Sequence, residues 1–259
     1  MRIRATLGVV TGALALSVLA VPAAQADDSA GDTKISNVVV NGGKDVVGGA
    51  TGKKTFTVSF TATDDSGIDW AQAILYHGSD IESSDSGAVA NSSDGRATCT
   101  EVNATTSTCK SSFTLESGAN LINSVAGGWK VWALAAGVDA DYVQKDNAKG
   151  FKVKRASKLT VNASPEPVKK GKTITVKGNL TRANWDTGRY AGYTSQSVKL
   201  QFKKKGTTTY KDVKSVRSGS AGALKTTVKA SVDGYYRYNF AGTTTTPAVA
   251  AAGDFIDVN

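Results

Sequence analysis

Apolar and polar residues alternate with a period of two through most of the chain. Thr55-Phe56-Thr57-Val58-Ser59-Phe60-Thr61 alternates without a break, the pattern of a strand that buries one face. In the next run, Trp70, Gln72, Ile74 and Tyr76 share one face, while Ala71, Ala73, Leu75 and His77 share the other. Trp129–Ala135 and Gly150–Lys154 read as further strands. In the second half the same pattern covers Leu159–Val161, Lys172–Leu180, Ser197–Phe202, Tyr210–Val216, Leu224–Val228, Tyr236–Phe240 and Asp254–Val258. These runs are rich in Thr, Val and aromatic residues, and clusters of Gly, Asn, Asp and Ser separate them, as strands and turns require. Only Glu116–Val125 predicts a short helix, because Leu121, Ile122 and Val125 have helical spacing. Many short strands at regular spacing predict an all-β protein built as a sandwich or barrel.

The N-terminus follows a different rule. Arg2 and Arg4 precede an uncharged apolar run, Ala5–Val21, and Ala24-Gln25-Ala26 offers small residues where a signal peptidase reads. That order predicts a cleaved signal peptide, 1–26, and a secreted chain starting at Asp27. The apolar run is short and leads directly into Asp27-Asp28-Ser29, so no membrane span is expected in the mature chain. The mature chain is long enough for two domains, 27–155 and 156–259, divided near Arg155–Lys158. Gly52-Lys53-Lys54-Thr55-Phe56-Thr57-Val58 and Gly171-Lys172-Thr173-Ile174-Thr175-Val176 repeat one local pattern, which fits two copies of one fold.

Charge separates the halves. The net +9 contains an acidic stretch, 27–150, with nine Lys/Arg against sixteen Asp/Glu, and a basic stretch, 151–259, with twenty against six. Surfaces of opposite sign have different partners. The two cysteines, Cys99 and Cys109, predict a structural disulfide in an oxidising compartment, stapling a hairpin of Arg96–Val102 against Thr108–Leu115.

Residues 157–259 resemble the bacterial immunoglobulin-like modules of secreted actinobacterial proteins. The matching residues are Leu159–Ala163 with Pro165, Val168-Lys169-Lys170-Gly171-Lys172, Gly192, Val198–Gly206, Asp233-Gly234-Tyr235-Tyr236-Arg237 and Phe240-Ala241-Gly242-Thr243. The first half resembles such a domain more loosely, through Phe60-Thr61-Ala62-Thr63-Asp64-Asp65-Ser66-Gly67. The resemblance implies two tandem immunoglobulin-like β-sandwich domains acting as spacers, adhesive units or accessory binding modules. It implies no catalytic residues.

Candidate chemistry is sparse. His77 is the one histidine and reads as a partly exposed strand residue. There is no G-x-S-x-G elbow, P-loop or dinucleotide fingerprint, and two cysteines with one histidine do not make a closed zinc site. On the immunoglobulin strand order, the loop after Val58–Thr63 carries Asp64, Asp65 and Asp69, and the loop after Trp129–Gly137 carries Asp139, Asp141 and Asp146. Both loops fall at one end of the sandwich, where the carboxylates suit Ca²⁺ or simply form a solvated rim. In the second half, Trp185, Arg189 and Tyr190, with Tyr193, fit either a sugar-stacking loop or packing at the domain joint. Lys203, Lys204 and Lys205 are expected at a turn, either solvated or contacting an anionic wall polymer or glycan. No groove-reading motif for specific nucleic-acid recognition is present. Three functions remain: a non-catalytic extracellular or wall-associated binding or structural protein, a calcium-binding protein, and an enzyme or inhibitor with an unrecognised site.

Overall fold

The computed structural model describes residues 27–259, and the expected signal segment, 1–26, lies outside them. The chain is all-β and forms two immunoglobulin-like sandwiches in series. The first contains β1 (Asp28–Ala30), β2 (Lys34–Val40), β3 (Val46–Gly48), β4 (Lys53–Thr63), β5 (Ile68–His77), β6 (Ser86–Val89), β7 (Thr98–Asn103), β8 (Thr106–Glu116), β9 (Gly127–Gly137) and β10 (Tyr142–Arg155). One sheet has the order β2-β4-β8-β7; the other has β1-β10-β9-β5-β6, with β3 also on β10. The edge strand is thus divided between both sheets, and β3 pairs with β10 in parallel, whereas its neighbours are antiparallel. This is the immunoglobulin order.

Alternation sets the core. Phe56, Val58, Phe60 and Ala62 of β4 face Ala71, Ala73 and Leu75 of β5 and Trp129, Val131, Ala133 and Ala135 of β9, all buried. The Trp129 indole donates to the Val125 carbonyl at 2.7 Å. Cys99 and Cys109 lie opposite each other on β7 and β8 and are disulfide-bonded. The helix expected over Glu116–Val125 is a turn instead, with a 3₁₀ segment at Asn123–Val125. β8 runs to Glu116 and β9 starts at Gly127, and the Asn120 side chain accepts from the Glu116 amide at 2.6 Å, so the short link closes on itself.

β10 is incompletely covered. Its outer edge pairs with β1 over Tyr142–Gln144 and with β3 over Val153–Arg155. Between them, residues 145–152 have no strand partner on that side among the described residues, and a bulge interrupts their pairing with β9. An open groove of about 550 Å³ runs beside this gap, lined by Val39, Lys44, Lys149, Phe151 and Lys152 among others.

The second sandwich contains β11 (Ser157–Leu159), β12 (Asn162–Ser164), β13 (Thr173–Asn184), β14 (Arg189–Gly192), β15 (Ser197–Lys204), β16 (Lys211–Arg217), β17 (Ala223–Lys229), β18 (Gly234–Phe240), β19 (Val249–Ala250) and β20 (Asp254–Ile256). β13 carries β11, β12, β14 and β17; the facing sheet has the order β16-β15-β18-β19, with β20 also on β18. The run Leu159–Val161, expected as one strand, instead ends β11 at Leu159, and Thr160 and Val161 form the break before β12; the two short strands pair with different stretches of β13. Ile174, Val176, Leu180, Val198, Leu200, Tyr236, Tyr238 and Phe240 fill this core. The Tyr238 hydroxyl donates to the Val176 carbonyl at 2.9 Å, and burial pushes its pKa up to about 12.

Every described sheet is built from one half alone, yet the halves interlock. The β13–β14 hairpin carries Ala183 and Trp185 into the core of the first sandwich, where Trp185 is 1% exposed. Asn123 binds this hairpin from the other side: its amide and side chain donate to the Asp186 carboxylate, and its side-chain oxygen accepts from the Trp185 amide at 3.0 Å. Arg155 is buried in the same joint, with Nε donating to the Ala183 carbonyl at 2.6 Å. Desolvation, reinforced by the nearby Arg182 charge, lowers its pKa to about 10.

Candidate functional site

The first candidate lies at the end of the first sandwich away from the joint, where β4 and β9 end and β5 and β10 begin. Asp64, at 3% exposure, is its centre. One oxygen each of Asp32, Asp64 and Asp141 lie within 4.8 Å of one another, and Asp64, Asp65 and Asp139 form a second such group. The turns that hold them are self-bonded. Thr33 Oγ1 donates to Asp64 at 2.6 Å, the Ser66 amide and hydroxyl donate at 2.9 and 2.5 Å, the Asp32 amide donates to Asp141 at 3.0 Å, and the Asp141 amide donates to Asp139 at 3.1 Å. Gly31 and Gly137 make room, since a Cβ at either would collide with the carboxylate of Asp141 or Asp64.

The electrostatics of neighbouring carboxylates diverge here. Burial pushes the Asp64 carboxyl up, but the hydroxyls of Ser66 and Thr33 and the Ser66 amide together outweigh it and hold the pKa below its ordinary value. Asp65 goes the other way: the Asp32 charge above all, then desolvation and the charges of Asp139, Asp64 and Asp141, raise its pKa. Among the described residues, no Lys or Arg forms an ion pair with any of the five. Chemically, this is an oxygen-rich, hard-ligand cluster without a counter-charge, the ligand type that Ca²⁺ takes.

The structure therefore gathers four of the carboxylates expected for a metal, Asp64, Asp65, Asp139 and Asp141, and adds Asp32. Asp69 departs from the expected set because it lies on β5, exposed beside Trp70. Asp146 is also not in a loop; it is a buried residue of β10 whose carbonyl accepts from the Tyr76 hydroxyl at 2.7 Å. Asp32 sits in the link between β1 and β2, outside any alternating run. Its one sequence signal is the turn-forming Gly31-Asp32 pair before β2.

The second candidate is the outer face of the β16-β15-β18 sheet. Lys203 and Lys204 belong to β15 and not to a turn; only Lys205 is in the turn. Lys203 Nζ lies 5.1 Å from the Tyr210 ring and 4.7 Å from the Tyr235 ring. The Arg237 guanidinium is 3.7 Å from Tyr210, and Lys205 Nζ is 5.3 Å from Phe255. Tyr235 and Phe255 have ring centroids 5.2 Å apart. Lys205 pairs with Asp233 at 3.2 Å, whereas no ion pair engages Lys203 or Arg237 among the described residues. The register places Lys203 and Lys204 opposite Tyr235 and Gly234 at the start of β18, the end of the sheet remote from the joint.

The other residues expected to bind a ligand lie elsewhere. Trp185 offers no ring face to a sugar because both sides are packed into the joint. Tyr190 packs against the same core, with Lys158 Nζ 3.9 Å over its ring. Arg189 remains exposed on β14. His77 Nδ1 lies 2.6 Å from Asp85, and its ring stands 5.9 Å from Trp129. No Ser or Cys side chain hydrogen-bonds to it among the described residues, so no nucleophile–base pair forms there. No helix among the described residues is long and apolar enough to cross a membrane.

Fold and sites together define a tandem immunoglobulin-like protein with an acidic loop end and a basic aromatic sheet face. Residues 45–135 match a family of unknown function (DUF5707). No curated protein matches the chain. Similar solved structures include the D00–D0 domain of intimin (15% identity, 86% of this chain and 99% of that one, TM-score 0.29). Two others hold titin Z1Z2: a chimera functionalised with a KLER peptide from decorin (12%, 92% and 98%, TM-score 0.24) and the complex with telethonin (11%, 91% and 98%, TM-score 0.22).

Proposed function

We propose that the protein is an exported, non-catalytic binding and structural module whose basic second domain holds it on anionic wall polymer. The excess of twenty Lys/Arg over six Asp/Glu in residues 151–259 carries this reading. Lys203 and Arg237, which no ion pair engages among the described residues, give that charge a location on an outer sheet face. Such a surface attracts polyanions over roughly one Debye length, about 8 Å at physiological salt. The buried joint supports a structural role, because it fixes one domain against the other. The two-domain protein is expected to be retained on purified wall fragments and to elute as salt is raised. Replacing Lys203, Lys204 and Lys205 with Ser should move elution to lower salt. Salt-independent retention, or none, would reject the proposal.

The carboxylates around Asp64 favour a second reading, calcium binding at the far end of the first domain. A ligand that binds only the folded state stabilises it by mass action. Millimolar Ca²⁺ should therefore raise the melting temperature of the first domain, and Asp64→Asn with Asp139→Asn should abolish the rise. An unchanged melting temperature across the titration leaves a solvated acidic rim.

A further inference from the structure

The outer face of the second domain combines two features that charge alone does not require. Immunoglobulin-like sandwiches bury alternate residues and leave polar ones outside. β18 obeys this for Tyr236 and Tyr238, which are buried, but places Tyr235 outside beside Arg237. Tyr210 and Phe255 arrive from different segments and join the same face, so three partly exposed rings are interleaved with Lys203, Lys205 and Arg237. Each cation lies within the roughly 6 Å at which a ring attracts it. Arg237 is also tethered through Gln201 Oε1 at 2.9 Å, and Gln201 donates to Asp212 at 2.8 Å. Arg237 is thus held in place, as Lys205 is by its ion pair with Asp233, which reduces the ordering cost of binding.

Gly253 shows that the Tyr210 ring has a built seat. A Cβ at Gly253 would come within 2.1 Å of the Tyr210 hydroxyl oxygen and 3.1 Å of the Tyr235 Cβ. The bare backbone there is what lets Tyr210 lie across toward β20. A plain polyanion surface has no use for such a seat, because lysines on any face would serve.

We infer that Tyr210, Tyr235 and Phe255, with Lys203, Lys205 and Arg237, form a binding platform for an acidic polysaccharide. The ring surface left exposed beside the cations offers apolar contact to the C–H faces of pyranose units, and the cations meet the carboxylate or phosphate groups the chain carries. This deepens the wall-polymer reading and rests on it. Charge complementarity selects the polymer's sign, and the rings select sugar over a bare chain of charges.

The test uses the two-domain protein with four probes: polygalacturonate, inorganic polyphosphate, neutral dextran and oligo(dT). Polygalacturonate should bind more tightly than dextran and oligo(dT). Tyr210→Ala with Tyr235→Ala should weaken polygalacturonate binding about tenfold or more while changing polyphosphate binding by less than about twofold. Gly253→Ala should weaken polygalacturonate in the same sense, although it removes neither a ring nor a charge. Unchanged circular dichroism and melting temperature verify that the variants are folded. Equal loss for both polyanions, or no loss, overturns the glycan platform and leaves the charge-based reading standing. Failure to bind either polyanion removes both. Tighter, tyrosine-dependent binding of oligo(dT) would reassign the face to single-stranded nucleic acid.

Discussion

The two domains share one strand plan and put chemistry in different places on it. In the first, carboxylates from three links converge at a loop end, around a buried aspartate. In the second, cations and rings spread over a sheet face. Loops bring together residues distant in sequence without constraint from the pleat, so like charges can crowd there. A sheet face spaces its side chains by strand geometry, which suits cations alternating with rings. The acidic cluster and the basic aromatic face thus place opposite charges on different parts of one strand plan.

The joint is where the separateness of the two domains is easiest to break. Trp185 belongs by sequence to the second domain but fills the core of the first. Trp185→Ala should cost about 3–5 kcal/mol, the range for emptying a large buried aromatic. In calorimetry the first domain should unfold earlier in the variant than in the native protein, widening the gap between its transition and that of the second domain. Next in size is the disulfide. Replacing Cys99 and Cys109 with Ser should cost about 2–3 kcal/mol through the short loop it closes, and a thermal melt should show the loss in the first domain only.

The acidic end gives effects of opposite sign. Asp64→Asn removes a charged acceptor from Thr33 and Ser66 and should destabilise the first domain by about 1–2 kcal/mol. Asp65→Asn removes repulsion and should raise its melting temperature at neutral pH. The pH dependence comes from the same two groups. As pH falls through the raised pKa of Asp65, protonation relieves repulsion and the melting temperature rises. Below the ordinary carboxylate value of 3.8 the contribution of Asp64 is lost as pH falls through its lowered folded pKa. A melting temperature that falls steadily from pH 7 would contradict this. The smallest effect is expected on the opposite sheet of the second domain. Lys225→Ser with Lys229→Ser removes two charges from β17 and should change polygalacturonate binding by less than about twofold.

Strands were legible because alternation reports burial directly: β4, β5 and β9 match the expected runs within a few residues. Asp64, Asp65, Asp139 and Asp141 were legible because the immunoglobulin order sends β4 and β9 to the same end. Asp32 was not, since its position depends on a strand that leaves one sheet for the other in a three-residue link. The aromatic face was half-visible. With Tyr236 inward, alternation forces Tyr235 and Arg237 outward, but no local pattern says that Tyr210 and Phe255 meet them. Trp185 fitted both loop and joint because an aromatic at a hairpin tip looks the same whether it faces solvent or a neighbour.

The gap along β10 bears on self-association. An unpaired strand edge invites a second chain to add to the sheet. Here the unpaired stretch carries Lys145, Lys149 and Lys152 and a bulge. A second copy docking edge to edge would bring the same lysines together, and the bulge would spoil its register. Lysines and a bulge along an edge unpaired among the described residues are features that disfavour edge-to-edge addition of a second chain, a physical consequence separate from any ligand.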